Sequence, residues 1–475
     1  MKHIHSLRPK RPWLGSFLLV IPFVVILFGW PLARAQQPAG GSPGRAADSK
    51  NLTLVGYSDL QNRSAYDVTV RQAPNGRWIA YVGHHEGDEI NPLTGAKEHN
   101  GVTILDVTDV KNPTILKHIA SDPETSAQMV RACDRTVGGV TKTFLLRDQN
   151  RPGNANDGHE VWDVTNPREP SRVGAAAVKL RNTHKNWWDC ASGIAYLVGT
   201  REGYNANHLI VVDLSDPSSP KEIVDYHLPG QNRSGNKNTV GSLHGPIVFP
   251  ERNRAYLAYG AGSGPGAAVI LDLAKLLDKD PTTDPLIGRV DFPSHFGTHT
   301  TLPYFRVPVP DTTPGFGNVR DLLVVADEAG NAEFNCKEIR PFMMVLDITE
   351  ESKPFPIANY KVPGDKFCGR GGRFGPHGLD EGTNHGTLAL LAYFSGGLRV
   401  VDLADPFNPR EVGHFIPATT AHTKVNGCDP AKHAGLCSAI QTNNVFRDPR
   451  GYVYITDRAR TGLHILEFSG ELKGR

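Results

Sequence analysis

The sequence predicts an all-β protein: a seven-bladed β-propeller of four-stranded antiparallel blades, closed by the N-terminal strand pairing with the last blade. Three observations predict it. A unit made of a hydrophobic strand, an aspartate, a turn, a proline and a second strand recurs six times. The steps between copies are long enough for four short strands. A further strand pair stands ahead of the copies. Self-similarity at such a period is the signature of a repeat fold, and four antiparallel strands repeated radially make a propeller blade.

The clearest copies are Leu209–Asp213 followed by Pro217 and Pro220, and Leu398–Asp402 followed by Pro406 and Pro409. Val102–Asp106, His159–Asp163, Ala268–Asp272 and Met343–Asp347 are the others, and Leu463–Glu467 is a degenerate seventh. A run of aliphatic residues suits a strand buried on both faces. The aspartate at its end can accept from backbone amides in the turn, and proline fixes φ without offering a donor. The second strand then begins directly, as in Thr114–Ile119, Lys221–Tyr226 and Arg410–Phe415. Such a hairpin is too small to be stable alone and needs neighbours.

The aspartates at 106, 163, 213, 272, 347 and 402 are separated by 57, 50, 59, 75 and 55 residues. The upstream pair is plain in His244–Phe249 with Arg254–Tyr259, and in Thr442–Phe446 with Tyr452–Thr456. Seven inner strands are expected to begin near Tyr66, Gln128, His184, His244, His299, His377 and Gln441. The last blade has only three strands by Phe468, and Asn51–Tyr57 resembles the missing outer one. Pairing of the two would remove the exposed edges of the array.

The 475 residues therefore divide into a signal peptide (1–35), a flexible leader (36–50), one propeller (51–470) and a short tail (471–475). Lys2, Arg8, Lys10 and Arg11 precede an apolar run from Trp13 to Trp30, and Ala33-Arg-Ala35 follows as a cleavage site. The mature protein is expected to be exported, to the periplasm, the cell surface or beyond. It would meet a membrane only if this segment were uncleaved. A net charge of +2 from 51 basic and 49 acidic residues gives no case for nucleic acid as a partner.

Six cysteines in an exported chain favour disulfides. Position in the repeats suggests Cys428 with Cys437, Cys336 with Cys368, and Cys133 with Cys190. No C-x-x-C occurs, which weighs against a thiolate metal site.

The chemistry is carried by four histidines. His184, His244, His299 and His377 each start the inner strand of consecutive blades, and inner strands line the channel. Four converging imidazoles would hold one transition-metal ion, iron, copper or zinc. Histidines so placed also serve structurally, donating to a carbonyl of the next blade. Arg370 and Arg373, set among glycines before His377, form a candidate anion-binding loop over a channel mouth. Gly262–Gly266 leads into a strand instead of a helix and fails as a dinucleotide loop. The oxygen-rich segment from Asp148 to Glu160 lacks calcium-loop spacing and is expected to be a turn. His84-His85-Glu86 lacks the second histidine of a zinc-protease motif and is expected to be a solvated loop.

The LIVVD213 and LRVVD402 copies resemble the LVIVD-repeat family of exported β-propellers, over most of residues 51–470. The resemblance implies the architecture and a binding role at the cell surface or in the periplasm. Two functions are thus expected: a binding module for a protein or carbohydrate at a propeller face, or a metal-dependent oxidoreductase built on the four histidines. An insertion at Val307–Val319 is a candidate for partner specificity. The histidine arrangement is also similar, without a shared motif, to iron-binding carotenoid-cleaving oxygenases and to copper-binding selenium-binding proteins.

Overall fold

The repeated units fold as the pattern requires, each into one antiparallel sheet. The computed structural model describes residues 45–150, 157–232, 241–261, 265–278, 280, 282–293, 296–309, 317–328, 342–382, 386–433 and 435–475. Within them lie seven four-stranded sheets and one small two-stranded hairpin. Blade one contains Ala65–Gln72, Trp78–His84, Gly101–Asp106 and Thr114–Ala120, in that order from the inside outwards. Blades two to five open with Val130–Val137, Thr183–Trp188, Leu243–Phe249 and Thr298–Pro308, and each continues through three more strands in chain order.

The last two blades depart from this order. In blade seven, Thr442–Arg447, Val453–Asp457 and Leu463–Phe468 are completed by Leu52–Ser58, which runs antiparallel to Leu463–Phe468. In blade six the regular strands are Leu388–Ala392, Leu398–Asp402 and Arg410–Ile416, and Asp48–Lys50 adds outside them. This strand takes in the last three residues of the expected leader. The expected inner strand around His377 is irregular: it meets Leu388–Ala392 through isolated bridges at Phe374–Phe394 and Leu379–Leu391.

The repeated aspartate does the local work assigned to it. Asp106, Asp163, Asp213, Asp347 and Asp402 each accept from the amide two residues on, at 2.8–3.0 Å. Asp272 instead caps the one α-helix among the described residues, Leu273–Leu277, by accepting from Lys275 N–H at 3.0 Å. That helix is the expanded turn of blade four.

Aliphatic residues of neighbouring blades interlock between the sheets. Leu322 and Val324 of blade five share one buried cluster with Ala389, Leu391 and Val401 of blade six. Such layering buries both faces of each inner sheet, and the central strands are accordingly hydrophobic throughout. Two of the three expected disulfides are present, Cys133–Cys190 and Cys428–Cys437. The Cys336–Cys368 pairing lies outside the described residues, as do the signal peptide and most of the Val307–Val319 insertion. No helix among the described residues is long and apolar enough to cross a membrane.

Candidate metal centre

The register of the first two strands fixes which residues share a level in the channel. In six blades the residue after the second strand donates its amide to a carbonyl two positions before the channel-lining residue. The pairs are His85 to Ser64, Asn150 to Ser126, Thr200 to Asn182, Gly260 to Ser242, Glu328 to Gly297 and Arg458 to Gln441. One layer is therefore Tyr66, Gln128, His184, His244, His299, His377 and Asn443. Asn443, and not Gln441, is the counterpart in blade seven. The residues after the second strands form a second layer towards the mouth: His85, Asn150, Thr200, Gly260, Glu328 and Arg458, with Phe394 at this level in blade six.

The four histidines do converge. Ring centroids are 4.4 Å apart for His184 and His244, 4.0 Å for His244 and His299, and 3.8 Å for His299 and His377. Tyr66 lies within hydrogen-bond distance of His184, Oη to Nε2 3.1 Å. A glycine makes room for this approach: a Cβ on Gly378 would stand 1.8 Å from Asn444 Oδ1.

Hydrogen bonds orient the rings. His244 Nδ1 lies 3.2 Å from the His299 carbonyl oxygen, and His377 Nδ1 lies 2.6 Å from that of Asn443. A carbonyl only accepts, so in both rings Nδ1 carries the proton and Nε2 the lone pair. His299 Nδ1 meets Thr300 Oγ1 at 2.7 Å. The structural use of these histidines, donation to the next blade, thus coexists with a free face. Nε2 of His299 and of His377 are buried without a hydrogen-bond partner. Burial keeps the rings neutral: it pushes His184 down to about 3 and holds His244, His299 and His377 well below the ordinary value. Neutral imidazole is the form that ligates a metal.

Glu328 joins them. Its carboxylate lies 3.9 Å from His244 Nε2 and 3.8 Å from His377 Nε2, and Arg373 Nη2 holds it at 2.8 Å. Two donors on one metal with bonds of about 2.1 Å are separated by about 4.2 Å at most. The pairs just given fall inside that limit. Donor atoms of His244, His299 and Glu328 all lie within 4.8 Å of one another. His184 Nε2 is 2.8 Å from His244 Nε2, near the roughly 2.9 Å expected for adjacent ligands at right angles.

Below the histidines the channel is filled by ion pairs. Arg131 bridges Asp67 at 2.8 Å and Glu381, and Lys185 meets Glu381 at 2.6 Å. Glu381 stays below its ordinary range despite burial because both cations face it. Beyond this plug lies a separate recess of about 200 Å³ walled by Val70, Trp187 and Phe446. On the other side a cavity of about 290 Å³ reaches His184 and His244 past Gln128, Asn150, Asn182 and Asn207. Two of the four histidines, His184 and His244, line this amide-rich mouth.

The two loop arginines part company. Arg373 is turned to Glu328 and to the Phe394 ring, 4.4 Å from its centroid, while Arg370 stacks on Phe367 at 4.8 Å. His84 and His85, expected in a solvated loop, are buried: His84 bonds Thr103 Oγ1 at 2.8 Å, and His85 packs on Tyr66 at 4.9 Å. Sequence reasoning missed Glu328, His85 and Arg458. Their shared position after a second strand was the available signal, but three different residue types there carry no common motif.

Fold and site together define a seven-bladed β-propeller with an axial histidine cluster. Residues 203–227, which contain the Leu209–Asp213 strand, match the LVIVD repeat. No curated protein matches it. Among solved structures it is similar to Sqt1 from Chaetomium thermophilum, at 10% identity over 89% of this chain and 100% of that one, TM-score 0.48. It is also similar to a Lactobacillus plantarum protein, at 11% identity over 75% and 84%, TM-score 0.47. A third is the Pseudomonas aeruginosa periplasmic gluconolactonase PpgL, at 11% identity over 88% and 94%, TM-score 0.42. No ligand or activity carries over from likenesses of this size.

Proposed function

We propose that this protein is an exported propeller that binds one transition-metal ion at its axis and presents it to a small ligand entering through the amide-lined mouth. His244, His299, His377 and Glu328 are the ligands, with His184 beside them. One observation carries the reading: Nε2 of His299 and His377 are buried and lack partners, and that of His377 lies 3.8 Å from Glu328, which Arg373 holds in place. An unmade hydrogen bond on a buried nitrogen costs about 1–3 kcal/mol, and a metal ion would relieve two at once. With iron or copper a histidine-rich set of this kind suits an oxidoreductase; zinc would suit hydrolysis. Export is supported by the two disulfides, which form and persist in oxidising compartments.

Elemental analysis of the mature protein, purified without chelator or affinity histidines, is the test. Near-stoichiometric iron, copper or zinc is expected. His299→Ala and His377→Ala should each lose that metal while the fold persists. A protein that stays empty on reconstitution would end the proposal and leave the rings as interblade donors.

A second reading, a module that binds a carbohydrate at the same face, draws on the cavity lined by Gln128, Asn150, Asn182 and Asn207. Amides of this kind pair with sugar hydroxyls. Saccharide capture that persists in His299→Ala would favour it.

A further inference from the structure

We infer that the channel mouth is built to hold a small carboxylate on Arg458, with Tyr66 and His85 beside it. The inference builds on the metal reading, since the ligand would reach from Arg458 towards the ion.

Arg458 is the residue after the second strand of blade seven, so register places it in the mouth layer directly over the histidines. Its guanidinium lies 5.4 Å from the Tyr66 ring centroid and 5.7 Å from that of Phe394. Those rings are in turn 5.6 Å from His184 and 4.7 Å from His377. Among the described residues this guanidinium enters no ion pair and donates no hydrogen bond, and its Nε is buried without a partner. The other buried cations of the channel are all matched: Arg131 to Asp67 and Glu381, Lys185 to Glu381, Arg373 to Glu328. Of the two carboxylates that favour the charge on Arg458, Glu328 is paired with Arg373, and neither Glu328 nor Glu86 forms an ion pair with Arg458 itself.

Arg458 is half-buried with its Nε enclosed; such a charge without a counter-ion is costly, and a guanidinium offers a planar fork that fits a carboxylate with two hydrogen bonds. Two further polar groups, Tyr66 and His85, lie near Arg458. Tyr66 presents its hydroxyl beside His184, and His85 Nε2 is buried without a partner, while its ring packs on Tyr66. Burial pushes His85 down to about 4 and holds the Tyr66 phenol protonated, so both are neutral groups at ordinary pH and the positive charge belongs to Arg458.

The experiment titrates the mature, zinc-loaded protein with acetate and, in parallel, with acetamide, followed by ligand-observed NMR. Acetate is expected to bind at least about tenfold more tightly than its neutral isostere, the scale of one charge-assisted pair. Arg458→Gln should lower acetate affinity by about tenfold with zinc stoichiometry unchanged, and Arg458→Lys should recover part of it. Equal binding of acetate and acetamide, or wild-type affinity in Arg458→Gln, would overturn the inference. Should Arg458→Gln fail to fold, the comparison of the two ligands on the unaltered chain decides. If the protein takes up no metal, the same titration is run metal-free. Arg458-dependent acetate binding there supports the carboxylate site and removes only the metal reading; no acetate binding overturns both.

Discussion

At the scale of single residues, the site depends on close approach and on which ring nitrogen is occupied. Gly378 follows His377 and lets the irregular inner segment of blade six lie against Asn444. A methyl group there would collide with Asn444 Oδ1, so the segment would move and take His377 with it. Gly378→Ala is expected to lower metal occupancy several-fold while leaving most sheets intact, as read by elemental analysis beside circular dichroism. Glu328 also shows why a metal ligand can escape a sequence reading. It ends the strand run Val-Val-Ala-Asp-Glu328, and nothing local distinguishes it from a solvated carboxylate. Its role arises from Arg373, which lies 45 positions along the chain and in the next blade.

At the scale of elements, the Cys133–Cys190 bridge ties the inner strand of blade two to the residues just after the inner strand of blade three, 57 positions along. Cross-linking a loop of that length restricts the unfolded chain and contributes about 2–4 kcal/mol. Replacing both cysteines by serine should lower the thermal midpoint by several degrees, as measured by calorimetry. Loss of the Cys428–Cys437 bridge, which spans only 9 positions, should cost less. The repeated aspartate turn is the element most visible in the sequence. Its alternatives are few: an acceptor two residues before the amide it holds, then a proline that cannot extend the strand. Blade four shows the tolerance of the device, since Asp272 keeps its acceptor role while the turn grows into a helix.

At the scale of the whole molecule, the neutral buried histidines link folding to pH. Outside the candidate centre, burial pushes His118 down to about 3, His159 to about 4 and His464 to about 3. Each folded value lies below that of the unfolded chain, about 6.5. Between these limits the unfolded state binds more protons, so stability falls as pH drops below about 6.5 and is lost progressively towards pH 3–4. Each such ring contributes about 1.4 kcal/mol per pH unit in that window. Chemical denaturation at pH 7 and pH 5 should show a clear loss of stability at the lower pH; equal midpoints would contradict the assignment of these rings as neutral.

The architecture, the histidine layer and two of the disulfides were legible because each repeats, or sits at a fixed place within a repeat. Strand alternation and the aspartate turn are local physics, set by residues within a few positions of one another. The sequence alone therefore determined a propeller of seven blades and placed His184, His244 and His299 on inner strands, while His377 lies on the irregular inner segment of blade six. Tertiary structure alone decided which further side chains meet them. Glu328, His85 and Arg458 come from three blades, differ in type, and share nothing but a register position after a second strand. They become neighbours only when all seven sheets stand around one axis, and a contact of that kind leaves no period in the chain. The same reason moved the blade-seven counterpart from Gln441 to Asn443: strand register is fixed by pairing and packing across the sheet, and a shift of two residues keeps the same alternation of faces.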